Sequence, residues 1–361
     1  MGERVAGPIA LGTRISLDES LPRPVLRTSP GTSSERALGP AVPGTPESPA
    51  WHLRQSPVCV HRQPLPNFFI VGAPKSGTTA LAAYLSQHPE CYFSPRKELH
   101  YFCPDIDYHY RIDDSADYRS FFQEATDETA IGEGSVWYLY SPDAAENIYK
   151  FNPYAKIIIS LRRPPEMLDS LHQQYVWNGY EDIEDLETAL DTHAERKAGR
   201  SRPTRAIMNQ NFAPAGLVYW EACWYYEQVN RFVRLFGRDN VLIIKFDDFQ
   251  RDAKAVVHQA CRHLGISDDF PIDPAPVNPR KKRLSNRVDR FLRRPPYAVR
   301  LASRLVPNRH AVIERLKSLN TITPKSGLNA RLTEKVMDTY HHDIHKLNGI
   351  SDADFLSWLK S

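Results

Sequence analysis

"NFFIVGAPKSGTTALAAYLSQHP", Asn67 to Pro89, decides how the rest of the chain is read. The apolar run Phe68–Val71 has the length of a buried strand. Gly72 and Gly77 bracket a loop, and Thr78–Gln87 carries a helical stripe of Leu81, Tyr84, Leu85 and His88. Strand, glycine-rich turn and helix in that order offer backbone N–H groups and the positive end of a helix dipole to an anion. A nucleoside-triphosphatase loop requires Lys directly after the second glycine. Here Thr78 holds that position and Lys75 lies inside the loop. Taken alone, the residues leave two readings open: a site for a different nucleotide phosphate, or a tight turn with an ordinary surface lysine.

Working outward, the apolar run recurs. Lys156–Leu161 ("KIIISL") and Val241–Phe246 ("VLIIKF") read as buried strands. Between them lie helical patterns: Glu166–Trp177, preceded by Pro164 and Pro165, and a long aromatic-rich helix over Gly216–Phe236. Asp252 is placed to cap a helix running through His263, which Gly265 ends. Strands alternating with helices predict an α/β domain with a central parallel sheet covered on both faces. Ligands of such sheets bind at the carboxyl ends of the strands. The polar segment Glu181–Asn211, broken by Ser201–Thr204, reads as a surface excursion.

The chain has 361 residues, 41% hydrophobic and 25% charged. Residues 1–62 are rich in Pro, Ser and Gly, cannot bury enough apolar surface to offset their ordering entropy, and read as a disordered tail. They lack the apolar stretch of a secretory signal. Residues 63–361 suffice for one domain. No apolar run approaches the ~20 residues that cross a bilayer. Five scattered cysteines without a C-x-x-C pair suggest neither a disulfide framework nor a zinc site, and a reducing cytoplasm is expected. Lys and Arg (46) nearly balance Asp and Glu (43), but Arg280–Arg309 is strongly cationic. That run suits an anionic ligand or a peripheral membrane contact, or is a solvated helix face.

Two further clusters carry chemistry. In "IIISLRRPPEMLDSLHQQY", Arg162 ends a strand and Ser170 lies on the next helix; a guanidinium fork suits a phosphate monoester, or a carboxylate such as Asp169. "SPRKELHYF" concentrates Arg96, Lys97, Glu98 and His100. A carboxylate or imidazole there could take a proton from a hydroxyl nucleophile, or the loop is simply one of mixed charge.

Together these segments resemble the sulfotransferases that use 3′-phosphoadenosine 5′-phosphosulfate (PAPS). "GAPKSGTTAL" resembles their phosphosulfate loop, Arg162 and Ser170 match their 3′-phosphate motif, and Tyr175 matches an aromatic residue after that serine. "KELHYF" resembles a Lys-Glu-x-His-aromatic-Phe motif of the glycan-sulfating, heparan-type branch. The resemblance covers roughly Asn67 to Leu359 and implies the P-loop-like sulfotransferase fold. It implies that Lys75, Ser76, Gly77, Thr78 and Thr79 hold the phosphosulfate, with Lys75 on the leaving phosphate oxygen. It implies that Arg162 and Ser170 hold the 3′-phosphate and that Glu98 is the general base. Lys97 and His100 would be supporting pocket residues. Small-molecule members use a histidine as base instead, so His100 competes for that role, with His109 and His172 behind it.

"GEGSVWYLYSP" (Gly132–Pro142) resembles a segment that lies beside the acceptor; Glu133, Ser135 and Tyr138 match, Val136 replaces the usual proline, and the aromatic residues suit a core equally well. The basic run places Arg280 and Lys281 as further 3′-phosphate contacts, in a C-terminal part spanning 280–361. The expected partners are PAPS and a hydroxyl- or amine-bearing glycan, glycolipid or small molecule, with no metal and no nucleic acid. The rival readings are an ATP-dependent phosphotransferase, with Asp247 or Asp248 as magnesium ligand, and a basic module that binds polyanions or membranes without catalysis.

Overall fold

The computed structural model describes residues 64–108, 110–200, 213–273, 282–283, 321–322 and 328–360. The N-terminal tail, His109, Ser201–Thr204, Arg280, Lys281 and nearly all of the basic run lie outside the described residues.

Strand β1 (Phe68–Gly72) leads into α1 (Thr78–Leu85) and β2 (Cys91–Phe93). Then come α2 (Ser115–Ser120), β3 (Ala130–Gly134), α3 (Ala144–Phe151), β4 (Lys156–Leu161) and α4 (Pro164–Asn178). Short helices α5 (Leu186–Asp191) and α6 (His193–Lys197) precede α7 (Tyr225–Phe236), β5 (Val241–Lys245), α8 (Phe246–Arg251) and α9 (Ala253–Leu264). A long helix, α10 (Ala330–Gly349), follows. The five strands form one parallel sheet in the order β2-β3-β1-β4-β5. Strand β1 is central, with β3 on one side and β4 on the other, so the chain reverses direction across the sheet at β1 and leaves a crevice above the strand ends.

Side chains alternate across the sheet as a two-residue period demands. Phe69, Val71, Ile157, Ile159 and Leu161 join a core with residues of α3, α4, α7 and α10. Phe68, Ile70 and Ile158 join a second core with Leu81 and Leu85 of α1 and Val257 and Cys261 of α9. Every β1 residue is buried, which explains why the strand reads as an unbroken apolar run.

Local sequence is overruled in three places. The helix expected over Gly216–Phe236 is two 3-10 turns, Pro214–Leu217 and Tyr219–Cys223, followed by α7. Tertiary bonds break it: the Tyr219 hydroxyl donates to Glu181 Oε2 at 2.9 Å and Trp220 Nε1 to the Leu190 carbonyl at 3.2 Å. The segment from Glu181 is no mere surface excursion. Leu186, Ala189 and Leu190 enter the core, and Glu181 forms a buried ion pair with Arg196 at 2.8 Å. Strand β5 ends at Lys245, so Phe246 opens α8 rather than closing the strand. The α9 expectation is met: Asp252 accepts from the Ala255 N–H at 3.0 Å, and Gly265 takes a left-handed C-cap.

Candidate active site

The loop after β1 is tied to β4 by three bonds. The Ala73 N–H donates to the Ser160 carbonyl at 2.7 Å. The Ser160 hydroxyl donates to the Ser76 carbonyl at 2.7 Å, and Arg162 Nη1 to the Lys75 carbonyl at 3.2 Å. With its carbonyls turned onto β4, the loop leaves the start of α1 without a side-chain cap or an acidic residue, which suits an anion. Gly77 has φ 80°, and a Cβ there would lie 2.6 Å from the Phe246 ring. The same ring lies 5.1 Å from the buried Arg162 guanidinium. Phe246 therefore packs against both the loop and the candidate phosphate clamp. The sequence reading left it as an ordinary strand residue; an aromatic side chain at the end of "VLIIKF" was the available signal.

Thr78 is buried, Thr79 is exposed in the first turn of α1, and the Ser76 hydroxyl donates to the Pro74 carbonyl at 3.2 Å. Ser170 lies on the buried face of α4. Arg163, next to Arg162, donates to Glu166 Oε1 at 2.9 Å and to the Trp358 carbonyl at 3.2 Å.

The loop after β2 brings the proton-handling residues to the same end of the sheet. Glu98 N–H donates to the Gly134 carbonyl at 2.9 Å. Its Oε2 accepts from the Val136 N–H at 3.0 Å, and its Oε1 accepts from the Lys97 ammonium. His100 Nε2 lies 3.2 Å from Oε2, an electrostatic contact and not an aligned hydrogen bond. Burial alone would raise the Glu98 carboxyl; the Lys97 charge and His100 outweigh it and hold the group down at about 2. Lys97 also donates to Thr78 Oγ1 at 3.3 Å, which joins the base loop to the anion loop.

Among the described residues, the non-glycine residues with left-handed backbone are Lys75 (φ 62°), Glu98 (φ 64°) and His100 (φ 55°). Such conformations cost about 1–2 kcal/mol each and persist where surrounding contacts dictate them, often at functional sites. All three had been singled out from the sequence for their chemistry.

Glu133, Ser135 and Tyr138 belong to the segment that resembles the one beside the acceptor. All three are fully buried. Glu133 accepts from the hydroxyls of Tyr138 (2.7 Å), Ser135 (2.8 Å) and Tyr118 (3.4 Å). Ser135 Oγ accepts from the His100 N–H at 3.1 Å, and Tyr138 OH from the Phe102 N–H at 3.4 Å. This network supports the strained backbone of the base loop from below. Burial raises the Glu133 carboxyl; the Tyr138 and Ser135 bonds oppose it, the Glu98 charge adds to it, and the result is about 7.

A carboxyl with a raised value in the fold contributes stability fully below its ordinary value of 4.5, and that contribution is lost as pH rises through about 7. Glu133→Gln should escape this loss. Thermal unfolding of both proteins from about pH 5 to about pH 8 is expected to show the wild type losing ground to the variant by roughly 1.4 kcal/mol per pH unit up to about pH 7 and levelling off above it. Parallel curves would show that Glu133 does not titrate there.

His172 Nε2 bonds the Ile183 carbonyl at 2.8 Å, which commits it to holding the segment after α4. Asp247 accepts from Trp358 Nε1 at 2.6 Å and Asp248 pairs with Arg251 at 2.8 Å, so both carboxylates of the triphosphate reading are engaged within the fold. Among the described residues, no cluster of three or more His, Cys, Asp or Glu could hold a metal, and no helix is long and apolar enough to cross a membrane. A cavity of about 400 Å³ runs along β5 beside Arg238, Lys245, Asp248 and His263, and none of the phosphosulfate-loop, Arg162–Ser170 or base-loop residues line it.

Comparison with known proteins agrees with this geometry. Residues 65–285 match the family described as "Sulfotransferase domain". The chain is 33% identical over 117 residues to membrane-associated sulfotransferase kil1 of Dictyostelium discoideum, covering 31% of this chain and 24% of that protein. It is 26% identical over 218 residues to bifunctional heparan sulfate N-deacetylase/N-sulfotransferase 4 of Mus musculus, covering 57% and 23%. The chain thus spans about a quarter of the length of these curated relatives. The crystal structure of a sulfotransferase from Alicyclobacillus acidocaldarius superposes with a TM-score of 0.61 at 28% identity, over 82% of this chain and 99% of that one.

Proposed function

The chain belongs to the sulfotransferase family, and from that premise we propose that it transfers a sulfuryl group from PAPS to a hydroxyl or amine acceptor. The observation that carries the reading is the coincidence of backbone strain with chemistry: Lys75, Glu98 and His100 are the left-handed non-glycine residues among those described, and they lie on loops that Lys97 and Thr78 join.

The site fits the nucleotide donor. The uncapped start of α1 offers N–H groups to the 5′-phosphosulfate, the ring of Phe246 leaves no room for a Cβ at Gly77, and the buried Arg162 guanidinium supplies a fork for the 3′-phosphate. Bound PAPS supplies an activated sulfuryl group, whose sulfur the acceptor attacks as the bond to the phosphate oxygen breaks. Lys75 holds a positive charge for that departing oxygen, together with the helix start. Glu98 receives the acceptor's proton. His100 flanks the carboxylate. Glycans are the favoured acceptor class, because heparan sulfate and carbohydrate sulfotransferases stand among the relatives; glycolipids and small metabolites follow.

Transfer of radiolabelled sulfate from PAPS to a panel of glycans, glycolipids, phenols and amines tests the activity. Label on at least one acceptor is expected. Magnesium-dependent ATP binding without affinity for adenosine 3′,5′-bisphosphate would refute it. Arg162→Ala should weaken adenosine 3′,5′-bisphosphate binding by about 30- to 100-fold in calorimetry, the range of a lost charged hydrogen bond. Adenosine 5′-phosphate, which lacks the 3′ group, should bind both proteins within about threefold of each other. Equal losses for both nucleotides would remove Arg162 from the 3′-phosphate.

A further inference from the structure

Resting on that reading, we propose that Lys97 is a donor-operated latch on the base: its ammonium pairs with Glu98 until the sulfuryl oxygens of bound PAPS draw it away, and Glu98 then accepts the acceptor's proton. The two oxygens of Glu98 have different partners. Oε2 is held by the Val136 N–H, a backbone group that does not move with ligand charge. Oε1 is held by Lys97. Losing Lys97 therefore uncovers one oxygen while the other keeps the carboxylate aimed.

Lys97 is placed for the exchange. Its ammonium already reaches Thr78 Oγ1, at the start of the anion-binding helix. Its side chain is 17% exposed, and its Cε lies across Gly134, which presents no side chain of its own to it. A sulfuryl group beside Thr78 offers negative oxygens to a cation that otherwise has the neighbouring carboxylate as its charged partner.

Such a release also favours the chemistry. A carboxylate held at about 2 is a feeble base, and its burial would raise it once the ammonium left. Of the other groups around Glu98, Glu133 favours the same direction and His100 opposes it. Glu133, from β3, repels it. Buried Cys103 is pushed up by its surroundings and stays a thiol. His100 remains as the flanking partner.

The test is a carbon-13 NMR titration of the full chain labelled at glutamate carboxyls, with Glu98 assigned by the signal missing in Glu98→Gln. In the free protein, and with adenosine 3′,5′-bisphosphate, which carries no sulfuryl group, Glu98 should stay ionised down to about pH 4. With PAPS and no acceptor, its midpoint should rise by more than about one pH unit. Lys97→Met should show the raised midpoint without any nucleotide and no further rise with PAPS, whereas Lys97→Arg should behave as wild type. Calorimetry on the same samples separates the two readings. PAPS binding with an unmoved Glu98 midpoint overturns the latch alone, and absence of PAPS binding overturns the proposed function and the latch with it.

Discussion

Glu98→Gln is expected to lower turnover by about 10³-fold, within the 10²- to 10⁴-fold range of general acid–base catalysis, with adenosine 3′,5′-bisphosphate affinity changed less than about threefold. The amide keeps an oxygen for the Val136 N–H, so the loop keeps its geometry while losing the ability to take a proton. The competing base, His100, is fully buried, and its backbone N–H is tied to Ser135. Its imidazole contacts the Glu98 carboxylate, so His100→Gln should act through Glu98 and cost less, about tenfold. Steady-state kinetics of both variants with one acceptor decide the matter. A larger loss at His100 than at Glu98 would reverse the assignment.

Lys75→Ala is the second large effect. Removing one preorganised positive charge from a developing oxyanion typically costs about 10²- to 10³-fold in turnover. The backbone supplies a control. Lys75 has φ 62°, which strains any residue with a Cβ. Lys75→Gly should lose the same activity as Lys75→Ala, yet unfold with about 1 kcal/mol more stability, because glycine enters that region freely. Single-turnover rates and denaturant midpoints of the two variants separate charge from strain. Turnover near wild type in either would remove Lys75 from the chemistry.

Much of this was legible before any fold was known. The strands β1, β4 and β5 are buried on both faces, so each wrote itself as a continuous apolar run. The loop glycines, Lys75, Arg162 and Glu98 are sparse residue types in a fixed order along those runs. What was not legible depended on contacts distant in sequence. Strand β2 has three residues, and β3 reads "AIGEG", with two glycines and an acid. Gly132 is there because the Phe68 ring occupies the space a side chain would need, a Cβ lying 2.4 Å from it. Gly216 is a glycine for a similar reason: a Cβ there would lie 2.1 Å from the Tyr175 hydroxyl. The burial of Glu133 was not legible because it depends on hydroxyls of Tyr118, Ser135 and Tyr138 that only the fold turns onto it. Phe246 escaped notice because its role is to touch two other elements.

The order of the sheet separates two inheritances. Everything proposed to grip the nucleotide issues from β1, β4 and β5, while the base arrives on the stretch between β2 and β3, anchored from beneath by the buried acid of β3. That stretch is a natural cassette. Replacing residues 94–128 while keeping Lys97, Tyr118 and the anchoring acid should leave adenosine 3′,5′-bisphosphate binding near its wild-type strength, so that the acceptor side can vary on an unchanged nucleotide grip.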